Sequence, residues 1–256
     1  LLYKQLKTIM MNLTNSFKTL TILSLTAVFF TACPSGQQQE NAEAMSEEAT
    51  TTETSDEAWT MLFNGEDFSG WHEEDGDPNL YIEDETIIGV TEEGLPNTFL
   101  VTDETYDDFV LELNFKIDSS INSGVQIRST SYEEDTTTPY LSGQLEESTR
   151  DWEAGKFYGY QVEIDPSDRA WTGGFYEEGG RGWLQPVTEN EEGRQAFKPG
   201  EWNHMRIEAE GNHFQTYVNG TKVSDYRDDS ASSGHIGLQL HGAWKDEQIG
   251  QKVMFK

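Results

Sequence analysis

The chain has 256 residues, and its 17 lysines and arginines stand against 47 aspartates and glutamates, for a net charge of −30. A negative field of this size repels phosphate backbones and anionic membranes, so we expect no nucleic-acid partner. With Cys33 as its single cysteine the chain can form no internal disulfide, and the fold must rest on its hydrophobic core.

The first 32 residues have the pattern of a signal peptide. Lys18 precedes an apolar run over residues 20–30, which is shorter than the roughly 20 apolar residues of a membrane span. We therefore predict a lipoprotein signal peptide over residues 1–32. Met10 and Met11 are both suitable start residues, and a start at either would place residues 1–9 upstream of the translation start.

Cys33 follows the small residues Thr31 and Ala32 and precedes a polar stretch, which is the context of a lipidation site. Residues 33–57 are acidic and contain few apolar side chains, so they predict a disordered tether. We expect a lipid-anchored protein of the periplasm or cell surface that meets a membrane only through its anchor. Pro34 is not the aspartate that retains lipoproteins in an inner membrane, which favours the outer membrane.

Residues 58–256 are predicted to form one all-β domain. Alternating apolar and polar residues over 109–117 indicate a half-buried antiparallel strand, and segments 125–128, 160–165 and 236–241 show the same alternation. Residues 214–218 and 221–223 flank Asn219 and Gly220, which predicts a hairpin with a type I′ turn, next to a strand over 202–209. Two long irregular inserts, 131–157 and 166–197, are expected either to carry function or to be disordered, and the aromatic side chains of the second are expected to shape a pocket.

The polar residues of three of these segments should share one sheet face if their apolar neighbours face the core. That face collects amides, a guanidinium, an imidazole and two carboxylates, which are Gln126, Arg128, Gln161, Glu163, Asp165, Gln239 and His241. Such groups beside aromatic side chains suit a sugar, because hydroxyls need polar partners and C–H faces need flat apolar platforms. A polar face without a ligand is the alternative on this pattern alone. Metal-ligand spacings, phosphate loops and nucleophile-elbow motifs do not occur in the sequence.

Several motifs recur in order along the domain. Residues 62–71 read LFNGEDFSGW, residues 122–128 read NSGVQIR, residues 159–165 read GYQVEID, and residues 234–242 read GHIGLQLHG. Together with TGGFY at 172–176 and KPGEWN at 198–203, they resemble the 3-keto-disaccharide hydrolase domain family, formerly a domain of unknown function. The resemblance implies an all-β, concanavalin A-like jelly-roll sandwich of two antiparallel sheets, with substrate on the concave sheet.

The chain departs from the family pattern at two places. Residues 160–164 read YQVEI where the family has YEVQI, so an amide and a carboxylate are exchanged on one face, and the identity of the base is open. The chain stops at Lys256, where the family continues into a further strand. We therefore expect the domain of residues 58–256 to lack its last strand.

The resemblance implies cleavage of 3-keto-glycosides or 3-keto-disaccharides by C2 deprotonation, elimination and hydration. This chemistry needs a base and a group that stabilises an enolate oxygen. His241 or Glu163 is then the base and Arg128 the enolate stabiliser. Expected substrate contacts come from the sheet face, the motifs and the second insert, and are Asn122, Gln126, Tyr160, Gln161, Asp165, Tyr176, Trp183 and Gln239.

The same chemistry admits a divalent metal ion on the carbonyl, with Glu163, Asp165 and His241 as candidate ligands. The expected ligand is a small carbohydrate, and a partner oxidoreductase would have to supply the keto sugar.

Two other interpretations stay open. Residues 163–168 read EIDPSD, similar to the E-x-D-x-x-E signature of laminarinase-type retaining glycosidases, whose two carboxylates lie about 5 Å apart. Asp168 stands where that signature needs glutamate. The other interpretation is a non-catalytic sugar-binding module, because the jelly roll also hosts lectins and a fold alone does not give function.

Overall fold

The computed structural model describes residues 2–6 and 59–256. The predicted signal peptide beyond residue 6, the lipidated Cys33 and the tether lie outside these residues. None of the helices in the described ranges is long and apolar enough to cross a membrane.

Strands in the described residues are numbered in chain order and divide between two sheets. The first sheet contains β1 (Tyr3–Leu6), β2 (Trp59–Met61), β4 (Leu80–Glu83), β5 (Thr86–Val90), β7 (Phe109–Ile117), β14 (Asn203–Glu210), β15 (His213–Val218), β16 (Thr221–Arg227) and β18 (Lys252–Phe255). Its order is β16-β15-β14-β7-β18-β5-β4, and β1 pairs with both β2 and β7.

The second sheet carries the polar face. It contains β3 (Trp71–Glu74), β6 (Thr98–Tyr106), β8 (Ser123–Ser131), β9 (Thr136–Leu141), β10 (Glu147–Trp152), β11 (Phe157–Ile164), β12 (Phe175–Glu178), β13 (Gly182–Gln185) and β17 (Gly234–Leu240). Its order is β10-β9-β13-β12-β11-β8-β17-β6-β3. The pairings are antiparallel except for one parallel pair, Gly182 with Leu141, between β13 and β9.

The hydrophobic core lies between the two sheets. Strand β7 buries Leu111, Leu113 and Phe115 completely while its polar residues stay partly exposed. Strand β11 also buries Val162 and Ile164 in the core, but its polar residues on the opposite face are buried as well. Full burial of one such side chain contributes about 1.5–3 kcal/mol. The alternation in the sequence is therefore the cause of the sandwich, and the predicted jelly roll of two sheets is confirmed.

Local predictions from turn chemistry are also confirmed. Strands β15 and β16 form the expected hairpin, with φ of 50° at Asn219 and 83° at Gly220, the two positive angles that a type I′ turn requires. Strand β14 pairs with β15 as expected. Strands β11, β8 and β17 are neighbours, so the three alternating segments share one sheet.

The two long inserts are more regular than the sequence indicates. The first folds into the β9–β10 hairpin, and the second contains β12, β13 and the helix α1 (Glu191–Ala196), which begins after the N-cap Asn190. Strand β10 is exposed at nearly every position. It therefore has no buried face to impose apolar alternation, and the pattern that reveals the other strands is missing.

Residues Tyr3–Leu6 lie in the first sheet as β1, and the signal peptide over residues 1–32 stays a prediction. Strand β1 pairs with β7 over residues 109–112, and β18 pairs with β7 over 115–117. Because β14 occupies the other side of β7 over residues 109–115, β1 and β18 run along the same side. A free strand edge accepts an extended segment through its backbone groups, whatever the sequence. The further strand expected after Lys256 stays a prediction.

Candidate functional site

A cleft of about 560 Å³ lies over the second sheet, on the face opposite the core. Its floor comes from β11 and β17, and its walls come from the two inserts and from loops at the strand ends. The predicted site residues that line it are Asn122, Gln161, Glu163, Tyr176, Trp183, Gln239 and His241. The polar face predicted from the sequence is therefore assembled in large part.

Glu163 is a buried carboxyl at the floor of the cleft. Asn122 Nδ2 donates to its Oε1 at 3.1 Å, and Gln161 Nε2 donates to its Oε2 at 2.8 Å. Burial raises the pKa of Glu163 to about 8, although the Gln161 hydrogen bond lowers it. At neutral pH this carboxyl is mostly protonated and can donate a hydrogen bond into the cleft.

A line of hydrogen bonds fixes the Gln161 amide. Ser129 Oγ donates to Gln126 Oε1 at 2.6 Å, and Gln126 Nε2 donates to Gln161 Oε1 at 3.2 Å. The nitrogen of Gln161 must therefore face Glu163. Gly124 makes room for this arrangement, since a Cβ there would lie 2.4 Å from Gln161 Cδ. Gln126, predicted to contact substrate, lies behind Gln161 and holds it.

His241 follows β17 at the edge of the cleft. Its Nδ1 lies 2.8 Å from the carbonyl oxygen of Gly242, and because that oxygen only accepts, Nδ1 carries the proton. Nε2 makes no hydrogen bond with the rest of the described chain and keeps its lone pair. Burial lowers the pKa of His241 below its ordinary value, and its ring contacts Trp244 edge-on at 4.6 Å. A neutral imidazole with a free lone pair can act as a general base.

Unpaired polar atoms also line the cleft. Both side-chain amide atoms of Gln239 and the Oδ1 of Asn122 are buried without a hydrogen-bond partner among the described residues. A buried polar atom without a partner costs about 1–3 kcal/mol. Hydroxyl or carbonyl groups of a bound ligand would supply the missing partners.

Arg169 is a cation in the cleft that the sequence pattern did not indicate. Its Nε donates to Asp165 Oδ2 at 3.1 Å, and its guanidinium lies 4.9 Å from the Trp171 ring and 5.5 Å from the Trp183 ring. Its two Nη atoms make no hydrogen bond within the described residues. Gly143 packs against this guanidinium, because a Cβ there would lie 2.8 Å from Arg169 Nη1. Asp165 thus anchors Arg169 and is not free to bind substrate in the cleft.

Aromatic side chains of both inserts form one wall. Trp183 meets the Tyr176 ring edge-on at 5.4 Å, and the hydroxyls of Tyr176 and Tyr140 lie 3.1 Å apart. Arg150 lies over the Tyr140 ring at 3.7 Å. This wall offers the apolar faces that a sugar ring needs.

A charged cluster closes the far end of the cleft. Lys156 Nζ lies 2.5 Å from Asp75 Oδ2 and 3.9 Å from Glu178 Oε1. Asn97 Nδ2 donates to Glu178 Oε1 at 3.2 Å, and burial raises the pKa of Glu178. Lys156 is therefore already paired, whereas the Nη atoms of Arg169 are free for a ligand.

A protein-family model described as a 3-keto-alpha-glucoside-1,2-lyase-like domain matches residues 58–256. The chain belongs to this family. The resemblance seen in the sequence motifs is thereby confirmed, and the domain is one of a family concerned with carbohydrate chemistry.

The solved structures similar to this lyase-like domain match it at low sequence identity and with TM-scores below 0.5. A Parabacteroides distasonis protein provisionally described as a glycosyl hydrolase is 19% identical with a TM-score of 0.47, over 77% of this chain and 90% of the other. The carbohydrate-binding module CBM66 of Bacillus subtilis is 16% identical with a TM-score of 0.40, over 73% and 92%. A Bacillus subtilis protein of unknown function with a galectin-like fold is 12% identical with a TM-score of 0.48, over 76% and 90%. No curated protein matches the chain significantly.

Arg128 of this lyase-like domain lies on the core side of the sheet, which corrects its prediction as the enolate stabiliser. Tyr158 pairs with Thr130 and Tyr160 with Ile127, so two residues on β8 face the single Gly159 on β11. This β-bulge, with a φ of 49° at Arg128, turns the side chain away from the cleft. Arg128 donates to the backbone carbonyls of Asp107, Gly211 and Ala231 and to the Asp108 carboxylate.

Replacing Arg128 with alanine should therefore destabilise the fold and spare the chemistry. Removing one partner of a buried, hydrogen-bonded ion pair costs about 3–5 kcal/mol, and urea unfolding would measure the loss. Arg227→Ala is the matched control, because Arg227 is exposed on β16 and should change stability by less than about 0.5 kcal/mol. Lower activity per folded Arg128→Ala molecule, at unchanged stability, would restore the sequence prediction.

The position of Tyr160 corrects a second prediction, that this residue contacts the substrate. It alternates with Gln161 on β11, so its ring faces the core, 4.9 Å from the Phe214 ring, and its hydroxyl donates to Asp228 at 2.5 Å. The motif that contains Tyr160 spans both sheet faces, and half of its residues must be structural.

The metal and laminarinase interpretations do not fit the site. In residues 2–6 and 59–256, no three His, Cys, Asp or Glu side chains group closely enough to hold a metal ion. The candidate ligands already have other partners, since two amides donate to Glu163 and Arg169 donates to Asp165. Asp168, the third acid of the glycosidase-like signature, is exposed and does not line the cleft.

Sequence reasoning missed several lining residues, which are Asp75, Asn97, Tyr140, Arg150, Trp152, Lys156, Arg169, Glu178 and Trp244. Most come from loops and inserts that converge only in the fold. Glu178 had a local signal, since it alternates with Tyr176 on β12.

Proposed function

We propose that this domain cleaves 3-keto-glycosides by removing the C2 proton and eliminating the C1 substituent, with His241 as the base. The observation that carries the proposal is the pair of groups in the cleft. One is a neutral imidazole with a free Nε2 lone pair, and the other is a buried carboxyl that stays protonated at neutral pH. This pair favours His241 over Glu163 as the base.

The elimination breaks the C2–H and C1–O bonds and forms the C1–C2 π bond and the O–H bond of the leaving group. His241 Nε2 takes the C2 proton, which the C3 ketone acidifies, and the electron pair forms an enolate. The enolate collapses to a C1–C2 double bond as the C1–O bond breaks, and the imidazolium returns its proton to the departing oxygen. Water then adds a proton at C2 and hydroxide at C1.

Glu163 supports this sequence as an acid. A protonated carboxyl in a buried site donates a hydrogen bond to the ketone oxygen, and that bond strengthens as the oxygen becomes an enolate. The amides of Gln239 and Asn122, with their unpaired atoms, bind the ring hydroxyls. Arg169 offsets the negative charge on the departing oxygen, and Glu163 takes the enolate-stabilising role that was predicted for Arg128.

The position of Arg169 can be tested through Gly143. Gly143→Ala places a methyl group against Arg169 Nη1, at a backbone position without a positive φ, and should shift the guanidinium without changing any charge. We expect kcat to fall about tenfold or more, because misplacing a transition-state contact by an ångström is costly. The control is Ser232→Ala, because Ser232 lies in an exposed loop and its replacement should leave kcat unchanged. Gly200→Ala is not a suitable control, because Gly200 has a positive φ that alanine would strain. An unchanged kcat in Gly143→Ala would remove Arg169 from the mechanism.

The experiment that tests the proposed function is turnover of a 3-keto-glucoside in deuterated buffer. Release of the leaving group with deuterium at C2 of the sugar product supports elimination and hydration. Release without deuterium indicates direct displacement at C1. Binding without any release would make the domain a sugar-binding module.

We also propose that the protein acts outside the cytoplasm on a lipid anchor at Cys33. The support is the apolar run before Cys33 and the acidic stretch after it. Incorporation of labelled fatty acid into the full chain, and its loss in Cys33→Ala, would test the anchor. The substrate chemistry requires an oxidoreductase that converts the C3 hydroxyl of a glycoside to a ketone.

A further inference from the structure

The loop before β6 lies against the residues that follow β17. In the ladder between these two strands Thr98 pairs with Leu240. Asn97 and His241 therefore stand just beyond the last pair of the ladder, where the backbone pairing of the two strands ends. The groups that orient the His241 ring must then come from side chains and from the backbone of the loops.

Asn97 joins two parts of the cleft through its side-chain amide. Its Oδ1 accepts from the backbone nitrogen of Gly242 at 3.0 Å, and its Nδ2 donates to Glu178 Oε1 at 3.2 Å. Because a backbone N–H only donates, the oxygen of the amide must face Gly242, and the nitrogen must face Glu178. The two hydrogen bonds therefore fix Asn97 in one orientation.

Gly242 is confined on several sides. A Cβ at this position would lie 2.6 Å from the carbonyl oxygen of Leu95 and 3.1 Å from Trp244 Cζ2, so the residue has no room for a side chain. Asn97 fixes the N–H of Gly242, and the Gly242 carbonyl oxygen lies 2.8 Å from Nδ1 of His241. One residue thus connects Asn97 to His241.

The tautomer of His241 depends on this connection. The hydrogen bond from Nδ1 to Gly242 decides that Nε2 keeps its lone pair, because the partner of one ring nitrogen sets the protonation of the other. The Trp244 ring packs edge-on against the imidazole at 4.6 Å. Gln248, in the short 3-10 helix Asp246–Gln248, accepts from the Trp244 backbone nitrogen at 3.1 Å. If Gly242 moved, Nδ1 would lose its acceptor and the ring would be free to change tautomer.

We infer that Asn97 is a positioning residue for the base, because it holds the backbone of Gly242 so that the carbonyl keeps His241 protonated on Nδ1. The inference rests on the proposed function, in which the Nε2 lone pair of this tautomer takes the C2 proton. Asn97 does not take part in the proton transfer, since an amide neither accepts nor releases a proton at neutral pH. Residues 97, 178 and 242 are far apart in sequence, so no local motif indicates this role.

Nitrogen-15 NMR of the imidazole measures the tautomer of His241 without any turnover. In the unaltered protein we expect a neutral ring protonated on Nδ1. In Asn97→Ala the Nε2–H tautomer should appear, and kcat for a 3-keto-glucoside should fall about tenfold or more while KM stays within about twofold. Asn97→Asp retains an oxygen for the Gly242 N–H and should therefore keep the Nδ1–H tautomer.

Asn79→Ala is the matched control. Asn79 Nδ2 also donates to a glutamate, Glu92 Oε1 at 2.6 Å, but Asn79 does not line the cleft. This variant should change neither the tautomer of His241 nor kcat.

An unchanged tautomer in Asn97→Ala would overturn the inference. Loss of the Nδ1–H tautomer in Asn97→Asp would also overturn it, because the effect would then come from the contact with Glu178 and not from the contact with Gly242. If the unaltered protein cleaves no 3-keto-glycoside, the proposed function is wrong, and the NMR comparison alone decides whether Asn97 sets the tautomer.

Discussion

Replacing His241 with alanine should reduce turnover of a 3-keto-glucoside by about 10²–10⁴-fold, the usual contribution of a positioned general base. Affinity for the unoxidised glycoside should change little, because Gln239, Asn122 and the aromatic wall remain. Steady-state kinetics and calorimetry would measure the two effects separately.

His235→Ala is the matched control for this prediction. His235 lies on β17, the strand that His241 follows, and its Nδ1 also lies within hydrogen-bond distance of a backbone carbonyl, that of Thr102 at 2.7 Å. It does not line the cleft. It should keep nearly full activity. Equal losses in the two variants would show that His241 acts through stability and not as the base.

Replacing Glu163 with alanine should cost about 10²–10³-fold in kcat, the effect of losing one donor to a developing oxyanion. The pH profile separates this role from a structural one. Activity of the unaltered protein should fall above about pH 8, where Glu163 ionises, and again at low pH, where His241 becomes protonated. In Glu163→Gln the amide still donates, so more activity should remain and the alkaline decline should disappear.

Stability provides the control for Glu163. Its pKa in the folded protein, about 8, lies above its ordinary value of 4.5. Its contribution to stability is therefore complete below about pH 4.5 and is lost as the pH rises to 8. Glu163→Gln should be as stable as the unaltered protein at pH 4 and more stable at pH 9 in urea unfolding. If the activity of Glu163→Gln still falls above about pH 8, a group other than Glu163 causes the loss of activity at high pH.

The laminarinase-type and sugar-binding interpretations each make a different demand on the residues of the cleft than the proposed elimination does. A laminarinase-type mechanism needs a second free carboxylate beside Glu163, but Asp165 is tied to Arg169 and Asp168 lies outside the cleft. A sugar-binding module needs no base, and it would tolerate the loss of His241 without any change except in affinity. The His241→Ala experiment therefore also decides between catalysis and binding.

The position of Arg128 shows where reasoning from alternation fails. Its neighbours Gln126 and Val125 follow the predicted alternation, and the rule placed Arg128 beside Gln126 on the polar face. One extra residue in β8 opposite Gly159 moves the Arg128 side chain to the other face of the sheet, because successive side chains of a strand alternate between the two faces. Gly159 permits the bulge, since a Cβ there would lie 2.2 Å from Ser129 Oγ. That contact joins two strands about 30 positions apart in sequence, and no local pattern contains it.

The sequence by itself determined the two-sheet sandwich, the hairpin at Asn219 and Gly220, and the polar face that includes Gln161, Glu163, Gln239 and His241. These features depend on alternation and turn preference, which act over a few residues. The tertiary structure alone decided that Arg128 lies on the core side of the sheet, that Arg169 lines the cleft, and that burial raises the pKa of Glu163 and lowers that of His241. Strand register and desolvation arise from partners distant in sequence, so these properties appear only when the chain is folded.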